Sequence, residues 1–191
     1  ANLSEFGIIT NDFTIVCVCN VRPSKGIDIM LQATHELAIF SNLHLLLVGK
    51  GLEQAPYAQL IKNSPMSDRI HLAGHRQDAP ELIKACDVLV QPSISGEGLP
   101  RAMMEAIGCS TPVVITTTGG GKEIIEDGIS GFVVPVKSPH AIAEKVAFYY
   151  QHPKIKSEFA AAAQQRLKEN FTTLLTAKKF EKYFQQLLTT F

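Results

Sequence analysis

The chain has 191 residues, 46% of them apolar and 19% charged, a balance that suits one globular domain with a sizeable core and argues against disorder. Lysine plus arginine equals aspartate plus glutamate, 18 each, so there is no net charge to draw nucleic acid or an anionic membrane, and any anionic ligand must be held locally. The longest apolar runs, residues 13–19 and 43–48, are strand-sized and far short of the ~20 residues that a membrane span needs, so no transmembrane segment is expected.

Residues 1–12 show no periodicity and read as the remnant of a linker; they lack the basic start and apolar stretch of a signal peptide. From residue 13 onward, β-branched apolar runs alternate with segments of helical period. Strands are predicted at 13–21, 43–48, 69–74, 87–91, 112–116 and 131–136, with helices between them at 26–40, 54–63, 79–85, 99–108 and 121–127. Strands apolar on both faces, regularly separated by helices, imply a parallel sheet covered on both sides. The expected fold is therefore α/β: a doubly wound, Rossmann-like domain over residues 13–191. After Pro139 only helices are predicted, at 140–151, 154–170 and 173–188. In the last of these Leu174, Ala177, Phe180, Phe184 and Leu187 recur at helical spacing, so this tail packs on something. Cys17, Cys19, Cys86 and Cys109 show neither CxxC nor metal spacing and read as reduced core thiols of a cytoplasmic protein.

In an open parallel sheet, ligands bind beyond the carboxyl ends of the strands, where each following helix points its amino terminus at the crevice. The five strand-to-helix turns are thus where chemistry is expected. The first three collect cations: Arg22 and Lys25, then Lys50, then His75 and Arg76. The last two collect glycines and glutamates: Gly96-Glu97-Gly98-Leu99-Pro100, then Gly119-Gly120-Gly121-Lys122-Glu123. Lysine and arginine hold phosphate oxygens, carboxylates accept hydrogen bonds from paired hydroxyls, and glycines admit a ligand to the backbone. No Asp-x-Asp pair or His/carboxylate cluster stands at ligand spacing, so no metal is expected and the protein's own cations must neutralise a bound anion.

Plainer readings stand beside these. Lys25 precedes a helix, a common solvated position. On a helical wheel Arg101 and Glu105 share the narrow polar face of 99–108, so a solvent-facing pair four apart is a serious rival for Glu105. Gly119–Gly121 also suits a tight turn with no ligand. Glu97 is harder to set aside, because it lies between two glycines at the mouth of a helix opened by Pro100.

The stretch 92–100, together with Met104-Glu105-Ala106, Thr111-Pro112-Val113-Val114, Gly119 to Ile125 and Gly128-Ile129-Ser130-Gly131, closely resembles the retaining GT-B glycosyltransferases of family four. Seven residues separate Glu97 from Glu105, as in that family's paired-glutamate motif. Lys25-Gly26-Ile27-Asp28, Leu47 to Gly51 and Leu72 to Arg76 are similar to further landmarks in the right order, so the likeness covers about residues 13–190. It implies that Glu105 holds ribose hydroxyls, that Glu97 with the Gly98 and Leu99 amides holds the transferred sugar, and that Lys25 holds the diphosphate. It further implies that His75 and Arg76 lie against the base and that the Gly119–Gly121 turn approaches the phosphates. Two positions depart from the pattern: Asn20 stands where the family has arginine, with Arg22 two residues later, and Ser110 stands where it has glycine.

The implied reaction is metal-free transfer of a sugar from a nucleoside diphosphate donor to an alcohol with retention, the leaving diphosphate helping to deprotonate the acceptor. No cofactor is expected beyond the donor itself. Family members pair two Rossmann-like domains, and the landmarks here belong to the carboxy-terminal, donor-binding one; the partner implied is the amino-terminal acceptor domain, onto which the tail helix crosses. Two other readings remain open: a nucleotide-sugar-binding module without activity of its own, and a sugar-nucleotide epimerase.

Overall fold

A computed structural model of the chain describes residues 2–189; Ala1 and residues 190–191, the outer ends of the predicted linker and domain, lie outside the described residues. Six strands form one wholly parallel sheet: β1 (Phe13–Val18), β2 (Leu43–Val48), β3 (Ile70–Gly74), β4 (Val88–Gln91), β5 (Val113–Thr116) and β6 (Phe132–Val134), in the order β3-β2-β1-β4-β5-β6. The helices are α1 (Ile27–Leu37), α2 (Tyr57–Lys62), α3 (Ala79–Ala85), α4 (Arg101–Gly108), α5 (Gly121–Ile124), α6 (Pro139–Gln151), α7 (Pro153–Asn170) and α8 (Thr173–Thr189). This is the expected doubly wound, Rossmann-like architecture.

The central strands are mostly apolar on both faces, with Thr14 in β1, His44 in β2 and Gln91 at the end of β4 as the exceptions, because each face meets helices. Ile15, Cys17, Leu45 and Leu47 point into a core with Met30 and Leu31 of α1 and Val146 and Tyr149 of α6. Val16, Leu46, Val48 and Leu89 point the other way, onto Leu82 and Ile83 of α3 and Met103 and Ile107 of α4. Full burial of each such side chain contributes ~1.5–3 kcal/mol. A polar substitution on either face of β1 or β2 would therefore disrupt the domain.

Differences from the sequence reading fall at element ends. β1 stops at Val18, although the Cys19 and Val21 amides still donate to the Val48 and Lys50 carbonyls, because the chain then turns into a short helix at Pro23–Lys25. α4 begins at Arg101 rather than at residue 99, since Pro100 is in an extended conformation and caps it. The segment read as a linker is docked on the domain: Leu3 and Phe6 pack against the second core and Ile8 is buried. The apolar stripe of α8 stays open, with Leu174, Phe180 and Phe184 each more than half exposed. No described helix is long and apolar enough to cross a membrane.

Candidate functional site

Strand order reverses between β1 and β4, so the turns that follow these two strands open on the same crevice. Backbone contacts lock the turns together. The Ile94 amide donates to the Ser24 carbonyl at 2.8 Å. Gly26, at φ +65°, lies so close to Pro92 that a Cβ would meet its carbonyl oxygen at 2.0 Å, which only glycine permits. The result brings together two side chains 72 positions apart: Lys25 Nζ lies 2.5 Å from Glu97 Oε1.

The cleft at this point has a volume of about 560 Å³ and is walled by Arg22, Lys25, His75, Arg76, Glu97 and Glu105, among other residues. Six of the predicted site residues therefore share one concavity. Glu97 is its fixed point, with a side chain only 8% exposed. Its Oε1 also accepts from Ser93 Oγ at 2.6 Å and, more weakly, from Gln91 Nε2 at 3.4 Å. Burial pushes the Glu97 carboxyl up, but the bonds from Lys25 and Ser93 and the charge of Lys25 outweigh it and hold the group below its ordinary value. Glu97 is thus an anion in a nearly closed corner, and its Oε2 accepts no hydrogen bond among the described residues. An ammonium has three donors, so Lys25 keeps two for a ligand after serving Glu97.

Glu105 combines both readings. Its Oε1 accepts from Arg101 Nε at 2.8 Å, four residues away, and it also walls the cleft. Arg101 is 91% exposed, so this pair is worth only ~0–1 kcal/mol and yields easily to a ligand's hydroxyls. Arg22 is exposed on the cleft wall and forms no ion pair among the described residues, whereas Asn20 at the departing position accepts from the Lys50 amide at 3.2 Å.

Arg76 is differently disposed. Its guanidinium bonds Asp78 at 2.7 and 2.8 Å and Glu5 at 2.9 and 3.1 Å, and it lies over the Phe6 ring. These bonds push the Arg76 pKa up and lower the Asp78 carboxyl to about 2. With two carboxylates already on it, Arg76 fixes the loop carrying His75 and ties the amino-terminal segment to it.

Gly98, Leu99, Gly119, Gly120 and Gly121 do not line the cleft. The Gly120 amide donates to the Gly98 carbonyl at 2.8 Å, and a Cβ on Gly119 would meet the Glu97 carbonyl oxygen at 2.0 Å. Gly121 is buried, and a Cβ there would meet Ile115 at 2.8 Å. The glycine turn packs on the backbone of Glu97 and Gly98 and so backs the Glu97 loop.

Sequence reasoning missed Gln91 and Ser93, buried polar residues at and just beyond the end of β4, and Thr116, whose Oγ1 donates to the Ser93 carbonyl at 2.5 Å. The available signal was a glutamine and a threonine closing strands otherwise wholly apolar. Cys19 also lines the cleft, but burial pushes its thiol up to about 11, which makes it a poor nucleophile at neutral pH. Among the described residues no group of three or more His, Cys, Asp or Glu is placed to hold a metal ion.

The β1/β4 crevice holds Lys25 against Glu97 and is also lined by Glu105, and comparison with known proteins supplies the family. Residues 2–166 match the model of the glycosyl transferases group 1, and the chain belongs to that family. N-acetyl-alpha-D-glucosaminyl L-malate synthase of Bacillus anthracis is 24% identical over 184 residues, which are 96% of this chain and 48% of that protein. The structure of Anabaena HepE, solved in complex with UDP, superposes with a TM-score of 0.87 at 25% identity, covering 96% of this chain and 51% of that one. The C-terminal domain of a group 1 glycosyl transferase (LpcC) from Francisella tularensis has the same fold, with a TM-score of 0.79 at 21% identity over 89% of this chain and 91% of that one. The chain spans about half the length of the curated relatives it matches.

Proposed function

We propose that this chain is the donor-binding half of a retaining, metal-independent glycosyltransferase that moves a sugar from a nucleoside diphosphate to an alcohol. The observation that carries this reading is the Lys25–Glu97 pair at the β1/β4 switch point, with Glu105 on the same cleft. A nucleotide sugar is a diphosphate flanked by two polyhydroxylated rings, and the cleft offers a phosphate-holding cation together with two hydroxyl-accepting carboxylates. The UDP and UDP-glucose complexes of the Anabaena relative support this ligand class.

In this reading Lys25 turns its two remaining donors to the diphosphate, and Arg22 adds a second positive charge from the cleft wall. Glu105 exchanges Arg101 for the ribose hydroxyls, Glu97 takes the sugar hydroxyls, and the loop of His75 and Arg76 flanks the base. During transfer the bond from the anomeric carbon to the phosphate oxygen breaks and its electron pair leaves with the diphosphate, where Lys25 and Arg22 stabilise the charge. The acceptor oxygen bonds to the same face, and its proton passes to the departing phosphate oxygen. The acceptor would be held by the other half of the enzyme. Holding both reactants in register is worth up to ~7–11 kcal/mol, so these residues alone should bind donor and at most hydrolyse it slowly. The four free thiols favour a reducing compartment, the cytoplasm.

A thermal-shift panel of UDP, GDP and ADP and their sugars, run in EDTA and again with magnesium, tests the proposal. Ligand at 100 times its Kd adds ~2.7 kcal/mol, which raises the Tm of a domain this size by roughly 5–11 °C. One base should give that shift in EDTA. Silence from all three diphosphates overturns donor binding, and a tenfold gain in affinity on adding metal overturns metal independence.

A further inference from the structure

We infer that Ser93 and Gln91 are positioning residues that clamp Glu97 by Oε1, so that Oε2 is the atom presented to the donor sugar; this rests on the donor-binding reading above. Three donors converge on Oε1: Lys25 Nζ at 2.5 Å, Ser93 Oγ at 2.6 Å and Gln91 Nε2 at 3.4 Å. None reaches Oε2 among the described residues. A carboxylate has about four lone-pair sites over two oxygens, so loading one oxygen this heavily leaves the other as the open acceptor.

The direction of the network is set by its own chemistry. Gln91 Nε2 can only donate, and it donates to Ser93 Oγ at 3.0 Å. The single Ser93 hydroxyl proton is thereby free to point at Glu97, and it meets an oxygen that can only accept while ionised. Both residues are buried, Ser93 fully; Gln91 closes β4, whose other positions are apolar, and Ser93 lies two residues beyond it. Burying them is unfavourable unless they are hydrogen-bonded, and the partner they share is Glu97. Their backbone is pinned as well: Thr116 Oγ1 donates to the Ser93 carbonyl at 2.5 Å, and the next amide, that of Ile94, donates to Ser24 on the turn that carries Lys25. The clamp thus ties β4, β5 and the β1 turn to one oxygen of one carboxylate.

Ser93→Ala, Ser93→Thr and Gln91→Met, made in this chain, test the inference by titration calorimetry with the preferred nucleoside diphosphate and then with its sugar. The readout is the ratio of the two affinities. Ser93→Ala should shift that ratio against the sugar by about tenfold, as expected for losing a hydrogen bond to a charged group, while diphosphate affinity stays within about twofold. Ser93→Thr should restore the ratio, and Gln91→Met should shift it in the same direction but less. The ratio should also begin to fall at a higher pH in Ser93→Ala, because Glu97 without that donor takes up a proton sooner. Equal loss of both affinities would mark a merely structural role, and an unchanged ratio in Ser93→Ala and Gln91→Met would remove the clamp; either overturns the inference. If the wild-type chain binds no nucleoside diphosphate, it is the donor-binding reading that fails, and the clamp falls with it.

Discussion

Replacing Lys25 with methionine keeps the aliphatic stem and removes only the ammonium. That group lies 2.5 Å from a Glu97 carboxylate that is 8% exposed, and its own side chain is 25% exposed, so solvent screens the pair little. A hydrogen bond to a charged group contributes ~1.5–3 kcal/mol, so loss of the donors turned to the diphosphate should weaken binding by about 10- to 150-fold. The free protein should suffer too, since Glu97 is left with only the neutral donors Ser93 and Gln91. A cost of ~1–3 kcal/mol there lowers Tm by roughly 2–12 °C. Titration calorimetry reads the first effect and a circular-dichroism melt the second. Arg22→Ala should weaken binding less, because an exposed guanidinium is better screened. A folded Lys25→Met protein whose diphosphate Kd stays within about twofold of wild type would refute the assignment.

Glu105→Gln should weaken binding of free diphosphate and of sugar donor alike, whereas Glu97→Gln should weaken only the sugar's added part; equal loss of diphosphate affinity in both would sink the division of labour. Ser110 adopts φ 58°, a left-handed conformation that disfavours a side chain by ~1–2 kcal/mol, so Ser110→Gly should stabilise the domain by ~0.5–1 kcal/mol after the greater freedom of glycine in the unfolded chain is subtracted. A lower Tm in that variant would contradict the strain argument. The stacked pair His44 and His71, bonded at 2.9 Å, has both pKa values lowered, first by burial. Folded values below unfolded ones mean stability that is present above the ordinary histidine pKa and lost as pH falls through the shifted values. The Tm drop from about pH 7 to about pH 5 should therefore be smaller in His71→Gln than in wild type. Parallel melting profiles for the two would show that the pair does not titrate as argued.

The sheet was legible because β1 and β2 are buried on both faces along nearly their whole length, which leaves a run of strand length that is apolar except at Thr14 and His44. The cleft was half legible. Turn residues mark where ligands approach an open sheet, but no local pattern shows which oxygen of Glu97 meets Lys25 across 72 positions. Arg76 shows the same limit more sharply, since one of the carboxylates that occupy it, Glu5, comes from a segment read as a linker 71 positions earlier. The Gly119–Gly121 turn was read as a place of ligand approach, yet Gly119 also answers to an approach within the chain, since a Cβ there would meet the Glu97 carbonyl oxygen at 2.0 Å. A missing side chain records close approach, whatever the approaching atom. For α8 the helical spacing correctly picked out an apolar stripe, but the packing expected of it is not made among the described residues, where Leu174, Phe180 and Phe184 stay more than half exposed.

The most direct measurement is a crystal structure of this chain soaked with the nucleotide sugar that stabilises it best. The account predicts the diphosphate between Lys25 and Arg22, ribose hydroxyls on Glu105 in place of Arg101, and sugar hydroxyls on Oε2 of Glu97, with Ser93 still on Oε1. A nucleotide bound away from the β1/β4 crevice, or in it without contact to Lys25, Glu97 or Glu105, would contradict the account.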